Sequence, residues 1–83
     1  MGVDGLDTRQ GIFTPNVEEA RLNEIMIEVS KEVILLTDSS KFKKRSFAFI
    51  CQINQIDRVI TDNKIPEDDK KRLQDAGVEV IIA

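Results

Sequence analysis

The chain has 83 residues, which limits it to one domain, and its net charge of −3 argues against a nucleic-acid-binding module, because duplex binding needs a dense excess of Lys and Arg. With 41% apolar and 33% charged residues it has the composition of a soluble globular protein, one that buries only about 60–65% of the surface its unfolded chain exposes. It contains no His, Trp or Tyr and one Cys, which excludes an internal disulfide, a cysteine-based zinc site and His-based triad chemistry.

The opening fourteen residues, M1-G-V-D-G-L-D-T-R-Q-G-I-F-T14, are rich in Gly, Asp and Thr and read as loop. P15-N-V-E-E-A-R-L-N-E-I-M-I-E-V-S-K31 reads as a helix. Asn16 with Glu19 three residues on is a capping-box-like start, and Thr14 with Pro15 at the first helical position is the competing one. Ala20, Leu22, Ile25, Met26, Ile27 and Val29 give that helix a broad apolar face, while Glu18, Glu19, Glu24 and Glu28 stay polar.

V33-I-L-L-T37 fits a strand covered on both faces. F47-A-F-I-C51 is an apolar run of open type, and R58-V-I-T-D62 repeats the pattern of a strand ending in Thr-Asp. After Pro66, E67-D-D-K-K-R-L-Q-D-A76 is a helix with acids first and bases later, matching the helix dipole, and Gly77 follows it as a natural stop. V78-E-V-I-I-A83 closes as a strand. This alternation predicts an α/β fold, a mostly parallel sheet with flanking helices, in which ligands sit beyond the carboxyl ends of the strands.

Asp38-Ser39-Ser40-Lys41 and Thr61-Asp62 fall at two such ends. Hydroxyls, free backbone N–H groups and a lysine there could hold a phosphate. The plainer reading, favoured on spacing alone, is a turn followed by a solvated basic run, Lys41-Lys43-Lys44-Arg45. G2-V-D-G-L-D7 likewise suits either close backbone approach to a ligand, with Asp4 on sugar hydroxyls, or a Gly-rich loop. Cys51 reads as a small core hydrophobe, and Phe42, Phe47 and Phe49 as core or as cover for a partner. No nucleophile, base and orienter stand in triad order, so catalytic residues, metal ligands and cofactors are all expected to be none. The lack of an apolar run near the roughly 18 residues that span a bilayer, and of a charged leader, predicts no membrane association and a cytoplasmic location.

In order, G2-V-D-G-L-D, T14-P-N-V-E-E-A, L36-T-D-S-S-K-F, I56-D-R-V-I-T-D and A76-G-V-E-V-I-I-A83 resemble the C-terminal sensor domain of DeoR-type transcriptional regulators. The series covers essentially the whole chain. The resemblance implies an effector domain that binds a phosphorylated sugar or related metabolite. It also implies a fold similar to pentose-phosphate isomerases and CoA transferases, and operator DNA as a partner only through a separate N-terminal helix-turn-helix. Residues 1–83 would then be the C-terminal portion of one effector-binding domain of a sugar-catabolism repressor, without the early half of the sensor. The alternatives are a piece of an isomerase-like enzyme, or an assembly fragment. Loss of half a sheet leaves apolar edges that pair with another copy, so a homo-oligomer is expected.

The resemblance places Lys41, in a D-x-S-K pattern, on an isomerase lysine that reaches the sugar phosphate. It places Asp4, in G-x-D-G, near the substrate hydroxyls, with Gly5 and Ser40 as weaker companions. The isomerase's catalytic glutamate falls on Asn23, and the lysine of its glycine run falls near Thr14. An amide cannot take a proton from carbon at neutral pH. A receptor that holds its metabolite without turning it over is therefore expected.

Overall fold

In a computed structural model the structure describes residues 3–83. The first elements are strands where the sequence suggests loop. β1 (Gly5–Asp7) and β2 (Gly11–Thr14) form an antiparallel hairpin in which Leu6 faces Ile12, both fully buried. Asp7 builds the turn: its carboxylate accepts from the N–H of Arg9 at 2.9 Å and of Gln10 at 3.2 Å. Gly11 sits at φ +130°, and a Cβ there would lie 2.4 Å from the Cys51 carbonyl oxygen. The strands are too short for a periodic signal, and their glycine comes from close packing rather than from a loop.

α1 (Val17–Val29) starts where Asn16 accepts from the N–H of Glu18 at 2.8 Å and of Glu19 at 3.1 Å. Asn16, not Thr14, is thus the cap. Glu19 turns its carboxylate to the Thr14 hydroxyl, 3.2 Å away. The broad apolar face predicted for α1 is only partly used. Ala20 and Ile27 are buried where the helix packs on the antiparallel sheet, whereas Leu22, Ile25, Met26 and Val29 are exposed.

β3 (Ile34–Leu36), β5 (Arg58–Thr61) and β6 (Glu79–Ile82) form a parallel sheet in the order β3-β5-β6. Its register sets Leu36 beside Ile60 and Ile60 beside Ile81. The crossover from β5 to β6 is α2 (Glu67–Asp75), with Leu73 fully buried and Gly77 at φ +87° just beyond the helix. Asp57 fixes the entry to β3 by accepting from the Val33 N–H at 2.6 Å.

β4 (Ala48–Cys51), the apolar run of open type, pairs antiparallel with β2. The α/β expectation holds, but a single mostly parallel sheet does not: three strands are parallel and three antiparallel, in two sheets ordered β3-β5-β6 and β1-β2-β4. A three-residue hairpin loop can join only antiparallel strands, and β4 extends that hairpin. Leu6 and Ile12 from one sheet, Leu35 and Val59 from the other and Leu73 from α2 share one buried cluster.

The parallel sheet is also not covered on both faces among the described residues. Leu35 and Val59 point into the core, while Ile34, Ile81 and Leu36, the last 63% exposed, form a bare apolar face. Phe42 is core, but Phe47 and Phe49 are exposed, the Phe49 ring edge-on to Phe13 at 5.8 Å. Cys51 is buried and its thiol is pushed up to about 11 by desolvation, so it stays a neutral core group.

Candidate functional site

A cleft of about 440 Å³ opens at the carboxyl ends of the parallel strands. Leu36, Thr37 and Asp38 enter it from the end of β3, and Ile60, Thr61 and Asp62 from the end of β5. Val3, Lys41 and Ala83 complete its lining. The volume falls within the range that holds small metabolites.

Two neighbouring strand ends carry the same dipeptide, Thr-Asp, and the acids serve as braces. Asp62 accepts from the Ser39 N–H at 2.8 Å, tying the loop after β3 to the end of β5, and from the Lys64 N–H at 2.9 Å. The bond from Ser39 chiefly holds its carboxyl below the usual range. Asp38 accepts from the hydroxyl of Ser40 and, at 2.9 Å, from the Ser40 N–H, and these bonds hold its carboxyl down in the same way. One turn of 3-10 helix, Ser39–Lys41, follows, and buried Phe42 anchors it in the core.

That turn sets Lys41 in the cleft lining. The residue is half-buried and closes no salt bridge among the described residues. Its charge acts on the Asp38 carboxyl beside it, and an ammonium at the carboxyl end of a parallel sheet that closes no salt bridge can receive an anion.

The other expected contacts are arranged differently. Asp4 does not line the cleft, but its neighbour Val3 does. Its carboxylate accepts from the Thr14 hydroxyl at 3.3 Å. Leu6 bridges Phe42 in parallel fashion, which sets the hairpin beside the loop that carries Lys41, but neither Asp4 nor Ser40 is part of the cleft lining. Ser40 is exposed, with its hydroxyl spent on Asp38. Gly5 is taken up by the protein's own backbone: a Cβ there would lie 2.6 Å from the Lys44 carbonyl oxygen. Asn23 stands half-buried on α1 and is not part of the cleft lining.

Thr37, Thr61 and Asp62 belong to the lining but were not among the expected ligand contacts. The repeated Thr-Asp at two strand ends was the signal that could have found them. Among the described residues no group of three or more His, Cys, Asp or Glu side chains is placed to hold a metal ion, and no helix is long and apolar enough to cross a membrane.

Comparison with known proteins assigns the chain to a family. The sequence model of the DeoR C terminal sensor domain matches residues 1–63. A protein of Escherichia coli O157:H7, provisionally named the aga operon transcriptional repressor, is 46% identical over 82 residues, covering 99% of this chain and 30% of its own length. The HTH-type transcriptional regulator GlpR of Haloferax volcanii is 38% identical over 98% of this chain and 32% of its own. The lactose phosphotransferase system repressor of Staphylococcus epidermidis is 39% identical over 83% of this chain and 27% of its own. The chain thus spans about a third of the length of the relatives it matches. It belongs to the DeoR C-terminal sensor domain family, a family of transcriptional regulators and not of enzymes.

Proposed function

We propose that this chain is the later part of the effector-sensing domain of a repressor of sugar catabolism genes, and that the cleft at the ends of β3 and β5 holds a phosphorylated sugar or a related metabolite. The observation that carries this reading is Lys41, a half-buried lysine with no salt bridge among the described residues, in the lining of a cleft of metabolite size. Lys41 supplies the charge for the phosphate. On this reading Asp4, Gly5 and Ser40 act from outside the lining, supporting the strand and the loop that flank it. Two carboxylates, Asp38 and Asp62, share the lining with a single ammonium, so the phosphate draws further donors from the rest of the sensor.

The wider fold on this reading is that of the pentose-phosphate isomerases and CoA transferases, with the proton-transfer group absent and Asn23 in its place. Coupling to DNA is by linkage. The ligand binds one arrangement of the sensor better than another, which shifts how the attached helix-turn-helix domains meet an operator in the cytoplasm. The bare face of Ile34, Leu36 and Ile81 supports a sensor that is larger than this chain, because parallel sheets are covered on both sides. The chain alone should draw a second copy onto that face, and light scattering that shows a monomer at high concentration would count against it.

The decisive experiment is Lys41→Ala in the intact regulator. Charge-assisted contacts to a phosphate predict roughly a 10- to 100-fold loss of sugar-phosphate affinity, with operator binding in the absence of ligand unchanged. Equal ligand response in wild type and variant, by titration calorimetry or operator release, would overturn the assignment.

A further inference from the structure

α1 carries two apolar stripes. Each residue turns an α-helix by about 100°, so Leu22, Ile25, Met26 and Val29, spaced i, i+3, i+4, i+7, share one side of it, and Ala20 and Ile27 lie on nearly the opposite side. Ala20 and Ile27 are buried against the antiparallel sheet, while the four residues of the outer stripe are each more than half exposed. A helix on the surface of a domain shows one apolar stripe, and a second stripe on the far side calls for a second layer over it. None of the four residues lines the cleft, so the effector site leaves this stripe unused.

The charges beside the stripe point to its occupant. Arg21 and Glu28 border it on one flank, both exposed, and neither closes a salt bridge among the described residues. Seven residues apart, they are separated by about 10 Å along the axis and cannot pair within one helix. We propose that the outer stripe of α1 is an interface between two copies of the chain, their helices packed antiparallel about a twofold axis beside Ile25 and Met26. The spacing of the stripe reads the same in both directions. One twofold rotation therefore sets Leu22 of each copy against Val29 of the other, and Ile25 against Met26. The same rotation brings Arg21 of each copy alongside Glu28 of the other, which gives two ion pairs for one contact. A parallel pairing would set Arg21 against Arg21 and Glu28 against Glu28, and so would repel.

The competing cover is the rest of the same subunit, reaching α1 from the parallel sheet across the groove of about 170 Å³ between Met26 and Ile34. The test separates the two in the intact regulator, with exposed cysteines replaced by serine. Ile25→Cys places a thiol beside the proposed axis, and a short bis-maleimide should join two copies through it. Lys71→Cys, on the exposed side of α2, is the reference position and should give no covalent dimer. Arg21→Glu or Glu28→Arg, each added to Ile25→Cys, should slow the cross-linking about three- to tenfold, and both together should restore it, because the swapped charges again attract. Restoration by the double reversal is the decisive result, since a residue that acted only on its own fold would not be rescued by one in another copy. If Ile25→Cys forms no covalent dimer, or forms one at a rate that ignores both reversals, the interface is wrong. A Leu22→Asp regulator that stays fully associated but melts well below wild type would assign the stripe to the subunit's own remaining residues, which also overturns it. All of these readings are taken without ligand, so none of them bears on the cleft.

Discussion

Lys41 and Lys43 stand two residues apart, either side of buried Phe42, and meet opposite environments. Lys41 faces an open cleft without a salt bridge among the described residues. Lys43 is locked, with its ammonium 2.6 Å from Asp68 and 3.2 Å from Asp69, its N–H donating to the Leu6 carbonyl at 2.8 Å and its backbone in the left-handed region at φ +61°. The same clamp takes in Thr8, whose hydroxyl donates to Asp69 at 2.6 Å, and so fastens the hairpin turn and the loop before β4 to α2. Arg45, from the same basic run, donates to Gln10 at 2.7 Å. Lys43, Lys44 and Arg45 are exposed, as a solvated run would be, but Lys43 and Arg45 also make side-chain contacts. Lys43 carries ion pairs, whereas Lys41 carries none among the described residues and lines the cleft.

Breaking the clamp should have the largest effect, and only on stability. Asp69 is 2% exposed, and Asp69→Ala strands the Thr8 hydroxyl in the interior. We expect a loss of about 1–3 kcal/mol by urea unfolding, from the unpaired buried hydroxyl, with the sugar-phosphate affinity of the folded intact regulator unchanged. A variant that kept its stability but lost affinity would mean that clamp and cleft are a single device.

The second contrast is one of pH. Asp38 and Asp62 at the cleft and Asp68 at the clamp all have carboxyls held below the usual range, the first two chiefly by serine donors and Asp68 chiefly by Lys43. A carboxyl depressed in the folded state adds stability that is present above its ordinary value of 3.8 and is lost as pH falls through the folded value. The acid limb of the unfolding curve should thus lie below pH 4 and have contributions from both regions. Asp62→Asn removes one cleft contribution and should flatten that limb without moving the curve at neutral pH relative to its own plateau. An unchanged acid slope would show that Asp62 does not brace the cleft.

The parts of this arrangement that were legible in the sequence are the locally encoded ones. Asn16 caps α1 because an Asx side chain reaches the free N–H groups two and three residues on. The ends of β3, β5 and α2 follow from apolar runs cut off by Thr-Asp and from the Gly77 stop. The hairpin was not legible, because Leu6 and Ile12 define strands only by meeting each other, and Gly11 is glycine only because Cys51 is close. α1 was over-read for a similar reason: periodicity counts Leu22, Ile25 and Met26 as apolar, but which stripe is buried depends on where β4 lies. Lys41 could be placed at the cleft from the rule that ligands gather at strand carboxyl ends. The same rule sets Thr61 and Asp62 there, but that Asp62 is spent on the N–H groups of Ser39 and Lys64 appears only in the folded chain.

The smallest expected effect isolates the backbone of the locked lysine. Lys43→Ala and Lys43→Gly both delete the ammonium, so both lose the contacts to Asp68 and Asp69 equally. They differ at φ +61°, where a Cβ crowds the following carbonyl and glycine is free of that clash. Glycine also gains freedom in the unfolded chain, which offsets part of the relief. The Gly variant should nevertheless melt a few degrees above the Ala variant. The two should bind the sugar phosphate equally, because neither touches the Lys41 side of Phe42. If Ala melts higher, the left-handed turn at Lys43 is not retained once its ion pairs are gone. The clamp, rather than the loop's own conformation, would then be what holds Lys41 toward the cleft.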